Sequence, residues 1–273
     1  MPGTMSKIII FTDLHMLPEG GSIIGLDPFQ RLKTGIDHVN AFHADADHVV
    51  ITGDLTHHGD AASYRRLKTL IDTVIPPVAI AIGNHDRREV FLETFSDAPT
   101  DPNGFVQQVV DLPDCRLVVL DTLFAPPYEY PASHAGLLCA KRLDWLDGVL
   151  ADTGGRPALL FMHHPPHATG FSGMDAIRLT NEEEFYARIR KHGATVRHIF
   201  AGHVHRTISG SCRGVPFSVF KSPMHQQPMP FNTDDTSLSV DEPAAYGIAL
   251  VTADGVLVHT EDYEVASRNA VVA

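Results

Sequence analysis

The sequence has few cysteines, no long apolar run and no excess of positive charge. Its three cysteines, Cys115, Cys139 and Cys212, are widely spaced and form no Cys-x-x-Cys pair. They read as reduced thiols packed as small hydrophobes, which excludes a disulfide framework. No stretch approaches the ~20 apolar residues needed to cross a bilayer. The early run Ile8-Ile9-Ile10-Phe11 is too short for a signal-peptide core and ends in Thr12-Asp13. The expected location is therefore cytoplasmic, with no membrane partner. A formal net charge of -12 argues against a nucleic-acid polymer as partner, because such binding draws on Lys and Arg. There is no internal repeat, low-complexity tract or Gly/Ser linker, so residues 1–273 read as one domain.

What is present alternates. Short β-branched runs at Lys7–Thr12, His48–Thr52, Val78–Ile82, Ala158–Met162 and Arg197–Ala201 read as strands. Helical patterns fall between them at Pro28–His43, Asp60–Val74, Leu138–Ala151 and Asn181–His192, and Arg87-Arg88 open a further one. In the first, Phe29, Leu32, Ile36, Val39 and Phe42 recur at helical spacing, with Asp27 as N-cap before Pro28. Phe105–Val110 and Arg116–Asp121 suggest a hairpin. Beyond Ala201 the pattern turns to strands at Thr207–Cys212, Val215–Phe220, Tyr246–Val251 and Val256–Tyr263. Alternation followed by an all-β tail predicts a layered α/β fold with mixed sheets. Two long stretches, 124–135 and 224–242, are rich in Pro, Ser and Asp and read as cap or oligomerisation elements.

The seventeen histidines carry the chemistry. Polar clusters follow five strands directly: Asp13-Leu14-His15, Gly53-Asp54, Gly83-Asn84-His85-Asp86, His163-His164-Pro165 and Gly202-His203-Val204-His205. In α/β sheets the carboxyl ends of strands meet at one crevice. Carboxylate, imidazole and amide oxygen without thiolate suit Mn, Fe, Zn or Co in a catalytic setting. Two such ions clamp the attacking and leaving oxygens of a phosphoryl displacement.

This ordered set resembles the calcineurin-like metallophosphoesterases. Met162-His163-His164-Pro165-Pro166 and the Gly-His-Val-His ending look most like the class III cyclic nucleotide phosphodiesterase and bacterial glycerophosphodiesterase branch. The resemblance implies a four-layer sandwich of two mixed β-sheets flanked by helices. It implies two divalent or mixed-valence metal ions, one held by Asp13, His15, Asp54 and His205, the other by Asp54, Asn84, His163 and His203. Asp54 then bridges the ions, and a hydroxide held by them attacks phosphorus in line. His85 stands beside the scissile phosphate, where it stabilises charge or protonates the leaving alkoxide. Asp86 holds the His85 ring, His164 supports from behind, and Asn84, His85 and His225 contact substrate. The expected substrate is a small phosphodiester, either a glycerophosphodiester or a 3′,5′-cyclic nucleotide. Members of the family often assemble through added strands, so a homo-oligomer, a dimer, is expected.

Alternatives stand beside this reading. A phosphomonoesterase would use the same ions, a nuclease would need a basic groove, and a non-catalytic scaffold would have no need of a complete ligand set. Gly53-Asp54 runs on into Leu55-Thr56-His57-His58-Gly59, without the Asp-Arg-Gly of the protein phosphatases. His57 and His58 read as a solvated loop pair. His38, His43 and His192 read as surface or helix-end residues. His134 and His167 lie near loops that border the site, and Trp145 reads as core.

Overall fold

The computed structural model describes residues 5–229, 231 and 233–264. Strands β1 (Ser6–Phe11), β2 (His48–Thr52) and β3 (Val78–Ala81) run parallel. Strands β10 (Ala245–Val251) and β11 (Val256–Asp262) extend that sheet antiparallel, in the order β11-β10-β1-β2-β3. The second sheet contains β4 (Gln108–Asp111), β5 (Arg116–Val119), β6 (Ala158–Met162), β7 (Val196–Ala201), β8 (Ile208–Cys212) and β9 (Val215–Val219). Its order is β4-β5-β6-β7-β9-β8, with a parallel interior and antiparallel edges. Both sheets are mixed.

Strand alternation distributes the side chains among three apolar layers. Ile8, Ile10 and Val50 face Leu117, Val119, Leu159 and Phe161 between the sheets. Ile9, Phe11, Val49 and Ile51 point the other way, onto α1 (Pro28–Phe42), α2 (Ala61–Ile71) and α3 (Arg88–Thr94). On the far side, Val118, Leu160 and Ile199 meet α4 (Ala140–Ala151) and α6 (Glu182–Arg190). A short helix, α5 (Ser172–Asp175), precedes α6. The result is helices, sheet, sheet, helices. Each fully buried Leu, Ile or Phe contributes roughly 1.5–3 kcal/mol, so this alternation outweighs the weak local preferences of the individual strands.

The element ends differ from expectation for local reasons. Asp60 caps α2 through its carboxylate, which accepts from Ser63 N at 2.9 Å, so it lies outside the helix. Phe42, expected on the buried stripe of α1, is 67% exposed at the last turn. Phe105 and Val106 do not join β4, because Asp101 and Asp121 take their backbone N–H groups. Trp145 is half-buried against the outer core. No helix among the described residues is long and apolar enough to cross a membrane. Within 224–242, residues 230 and 232 lie outside the described residues.

Candidate metal centre

Asp13 and His15 leave β1, Asp54 leaves β2, Asn84 leaves β3, His163 leaves β6, and His203 and His205 leave β7. All seven are buried. Five of them, Asp13, His15, Asp54, His203 and His205, have positive φ between 45° and 73°. Such backbone costs on the order of 1–3 kcal/mol per residue and persists where the surroundings enforce it. Here it turns consecutive side chains from opposite sheet faces into one crevice. Gly83 is needed for close approach, since a Cβ there would lie 2.3 Å from Asp54 Oδ1.

The donor atoms converge in two overlapping groups. His15 Nε2 lies 3.1 Å from His205 Nε2, and His205 Nε2 lies 3.4 Å from Asp13 Oδ1. His163 Nε2 lies 3.0 Å from Asn84 Oδ1 and 3.2 Å from His203 Nδ1. Asp54 Oδ2 serves both groups, at 3.7 Å from His15 and 3.3 Å from His163.

The surroundings fix the tautomers. His163 Nδ1 donates to the Thr52 carbonyl at 3.0 Å and His205 Nδ1 to the His225 carbonyl at 3.0 Å. With Nδ1–H committed in this way, Nε2 of each ring faces the centre. His203 Nε2 is buried without a partner. Ring nitrogens and carboxylates facing one another across 3–4 Å suit a shared cation, and a metal ion in place of protons would fit them. Burial opposes protonation of His163, but the Asp54 and Asp13 carboxylates outweigh it and raise the ring to about 9. Burial and neighbouring rings hold His15 and His203 well below their ordinary value. Asp13 and Asp54 are lowered too, because their histidine neighbours overcome burial. The donors are thus oxygen and imidazole nitrogen, and the same carboxylates that raise His163 also raise His205 against burial, so both rings favour a cation beside them.

Other site residues divide. His85 Nδ1 donates to the His57 carbonyl at 2.9 Å, which leaves its Nε2 free. Asp86 does not hold the His85 ring as expected. Its carboxylate accepts instead from Leu55 N, Thr56 N, Gly83 N and the Tyr64 hydroxyl, at 2.9–3.2 Å. It clamps the Asp54 loop to the Asn84 loop, and burial, aided by the Asp54 charge, pushes its carboxyl up to about 6. Both ring nitrogens of His164 are engaged, with the Thr122 hydroxyl and the His134 carbonyl. His225 lies edge-on to His205 and tilted against His15, and its Nε2 has no partner among the described residues.

His57 corrects the expectation of a solvated loop pair. It is half-buried, lies parallel to His85 with centroids 5.2 Å apart, and sits 3.2 Å from His15 Nδ1. Its position three residues after Asp54 on the same loop is the signal that could have found it. His58 is exposed. His134 reaches Asn84 at 3.3 Å, whereas His167 packs on Phe217 and the Tyr186 hydroxyl, away from the centre. His38 and His192 are tied to Tyr246 and Asp147. A cavity of about 700 Å³ opens over the centre, with His15, Asp54, Asn84 and His203 on its floor and Ile24, Met174, Ile177 and Leu238 on its walls.

The chain matches the family described as calcineurin-like phosphoesterase over residues 6–207. It is 38% identical over 257 residues to a "Probable cyclic nucleotide phosphodiesterase" of Rhodopseudomonas palustris, covering 93% of this chain and 91% of that protein. It is 28% identical to a glycerophosphodiester phosphodiesterase of Enterobacter lignolyticus, covering 82% of this chain and 79% of that one. A dimetal phosphatase from Danio rerio superposes with a TM-score of 0.67 at 17% identity, over 93% of this chain and 95% of that chain, which speaks to the fold.

Proposed function

This chain belongs to the calcineurin-like phosphoesterases, and from that premise we propose that it hydrolyses small phosphodiesters, glycerophosphodiesters or 3′,5′-cyclic nucleotides, at a two-metal centre. The observation that carries the reading is the convergence of His163 Nε2, Asn84 Oδ1 and His203 Nδ1 on one side, and of His15 Nε2, His205 Nε2 and Asp13 Oδ1 on the other, about Asp54 Oδ2. Asp13, His15, Asp54 and His205 would hold one ion, and Asp54, Asn84, His163 and His203 the other, with Asp54 shared. Mn, Fe, Zn or Co suits these donors. When bound, such ions acidify water and neutralise charge on the phosphate oxygens.

The protein's own groups do the rest. Asp86 keeps the Asp54 and Asn84 loops in register, and Thr122 and the His134 carbonyl hold His164 against the centre. His85, with Nδ1–H committed to a carbonyl, turns Nε2 toward the departing oxygen, to which it would pass a proton carried on Nε2. Asn84 and His225 border the place where the phosphate sits.

The lining of the main cavity contains no Lys or Arg. That favours a diester monoanion over a monoester dianion, which would need further cations. The test is kcat/KM of the manganese-loaded protein for bis(p-nitrophenyl) phosphate against p-nitrophenyl phosphate. A diester preference is expected, and a monoester preference would overturn the substrate class.

A further inference from the structure

We propose that Arg87 reads a second anion, a carboxylate or a phosphate, on the substrate arm lying beside His85; this rests on the phosphodiester reading above. Beside the main cavity is a side chamber of about 240 Å³. His57, Asn84, His85 and His134 border both spaces, while His58, Arg87 and Tyr130 face the side chamber alone. A phosphodiester has two alcohol arms. With phosphorus at the centre, one arm enters the main cavity and the other passes Asn84 and His85 toward Arg87.

Arg87 is built to receive something. It makes no ion pair among the described residues, although the chain carries a net charge of -12. Among the described residues, the guanidinium's one hydrogen bond runs from Nη1 to the Asp86 carbonyl at 2.9 Å. The carboxylate two residues on, Glu89, instead accepts from the Tyr128 hydroxyl at 3.2 Å. The guanidinium lies over the Tyr128 ring at 4.4 Å and near the Tyr130 ring at 5.5 Å, which orients its plane and leaves its edge free. The stem runs through a slot that only glycine leaves open: a Cβ on Gly59, whose φ is +69°, would lie 2.4 Å from Arg87 Cγ. A half-buried, pre-oriented and unpaired fork of donors matches carboxylate or phosphate oxygens.

Two substrate pairs and one binding measurement test this. Glycerophosphoserine differs from glycerophosphoethanolamine by one carboxylate, and pApA differs from ApA by one terminal phosphate. The wild type should favour the anion-bearing member of at least one pair by about 10- to 100-fold in kcat/KM. Whichever pair shows the preference identifies carboxylate or phosphate as the anion. Arg87→Ala should erase that preference, with a far smaller loss on bis(p-nitrophenyl) phosphate, and Arg87→Lys should restore part of it. Equal losses on all substrates, or no preference in the wild type, would overturn the proposal. Calorimetric binding of 3-phosphoglycerate and glycerol 3-phosphate to the metal-loaded protein gives a readout free of turnover. The carboxylate-bearing ligand should bind about tenfold tighter, and Arg87→Ala should close the gap. If the wild type hydrolyses none of the four diesters, the phosphodiester reading falls. Calorimetry then decides alone, and the absence of a gap overturns the Arg87 assignment.

Discussion

His163 Nε2 stands 3.0 Å from Asn84 Oδ1 while the ring's Nδ1–H is committed to the Thr52 carbonyl, so both atoms face one point in the centre. Removing either partner should cost the ion they share. Asn84→Ala and His163→Ala are expected to lower the bound metal from two ions toward one, with at least a 100-fold loss of kcat. Elemental analysis checks the stoichiometry. Two ions retained in both variants would show that this pair does not ligate.

Asp86 fastens two ligand-bearing loops without touching the centre itself. Asp86→Asn keeps one acceptor oxygen where five donors now converge on two. Metal affinity should fall roughly 10- to 100-fold, as for other outer partners of metal ligands. Titration against a chelator of known affinity would reveal it. An unchanged affinity would mean that the loops hold their geometry unaided.

His85→Ala should retain both ions yet slow the reaction, more for poor leaving groups than for good ones, since the ring would pass a proton on Nε2 to the departing oxygen. The measurement is the slope of log kcat against leaving-group pKa across a series of aryl methyl phosphates. The slope should steepen in the variant. Parallel lines would assign His85 to charge stabilisation alone.

Stability should fall as the pH drops, and His198 is one cause. It is buried on β7 with Nε2 against the Ser218 hydroxyl at 3.0 Å, and burial lowers it from 6.5 to about 4. The unfolded chain therefore binds a proton between those values that the folded chain refuses. The contribution is complete above about pH 6.5, is lost as the pH falls toward about 4, and is on the order of 3 kcal/mol in full. His198→Gln should flatten the Tm profile between pH 6.5 and 4.5. A profile that keeps its slope would place the acid lability elsewhere.

Arg88 pairs with fully buried Asp121 through two hydrogen bonds of 2.7 and 2.8 Å. Arg88→Ala would leave that carboxylate with backbone donors and the more distant Arg142. A loss of about 3–5 kcal/mol is expected, read as a lower urea midpoint at unchanged m. A loss below about 1 kcal/mol would mean that Arg142 compensates.

The sequence by itself determined the strands, most helices and the residues that converge. Each polar cluster directly follows an apolar β-branched run, and strand ends in a layered α/β fold have one place to meet. The apolar runs within Lys7–Thr12 and His48–Thr52 were enough to mark strands, since that signal is local, but not to say which residue faces which layer. What only the tertiary structure decided depends on distance across the chain. Asp86 looks like a partner for adjacent His85 until Leu55, Thr56 and Tyr64 arrive from the neighbouring loop and helix and claim its oxygens. Arg87 and Arg88 are neighbours of the same type, yet one is neutralised by Asp121 on another strand's end while the other faces an open chamber. His57 and His58 part in the same way, one lying against His85 and the other in solvent. Spacing along one element marks that element; which charge meets which is set by packing between elements remote in sequence, and no local period encodes it.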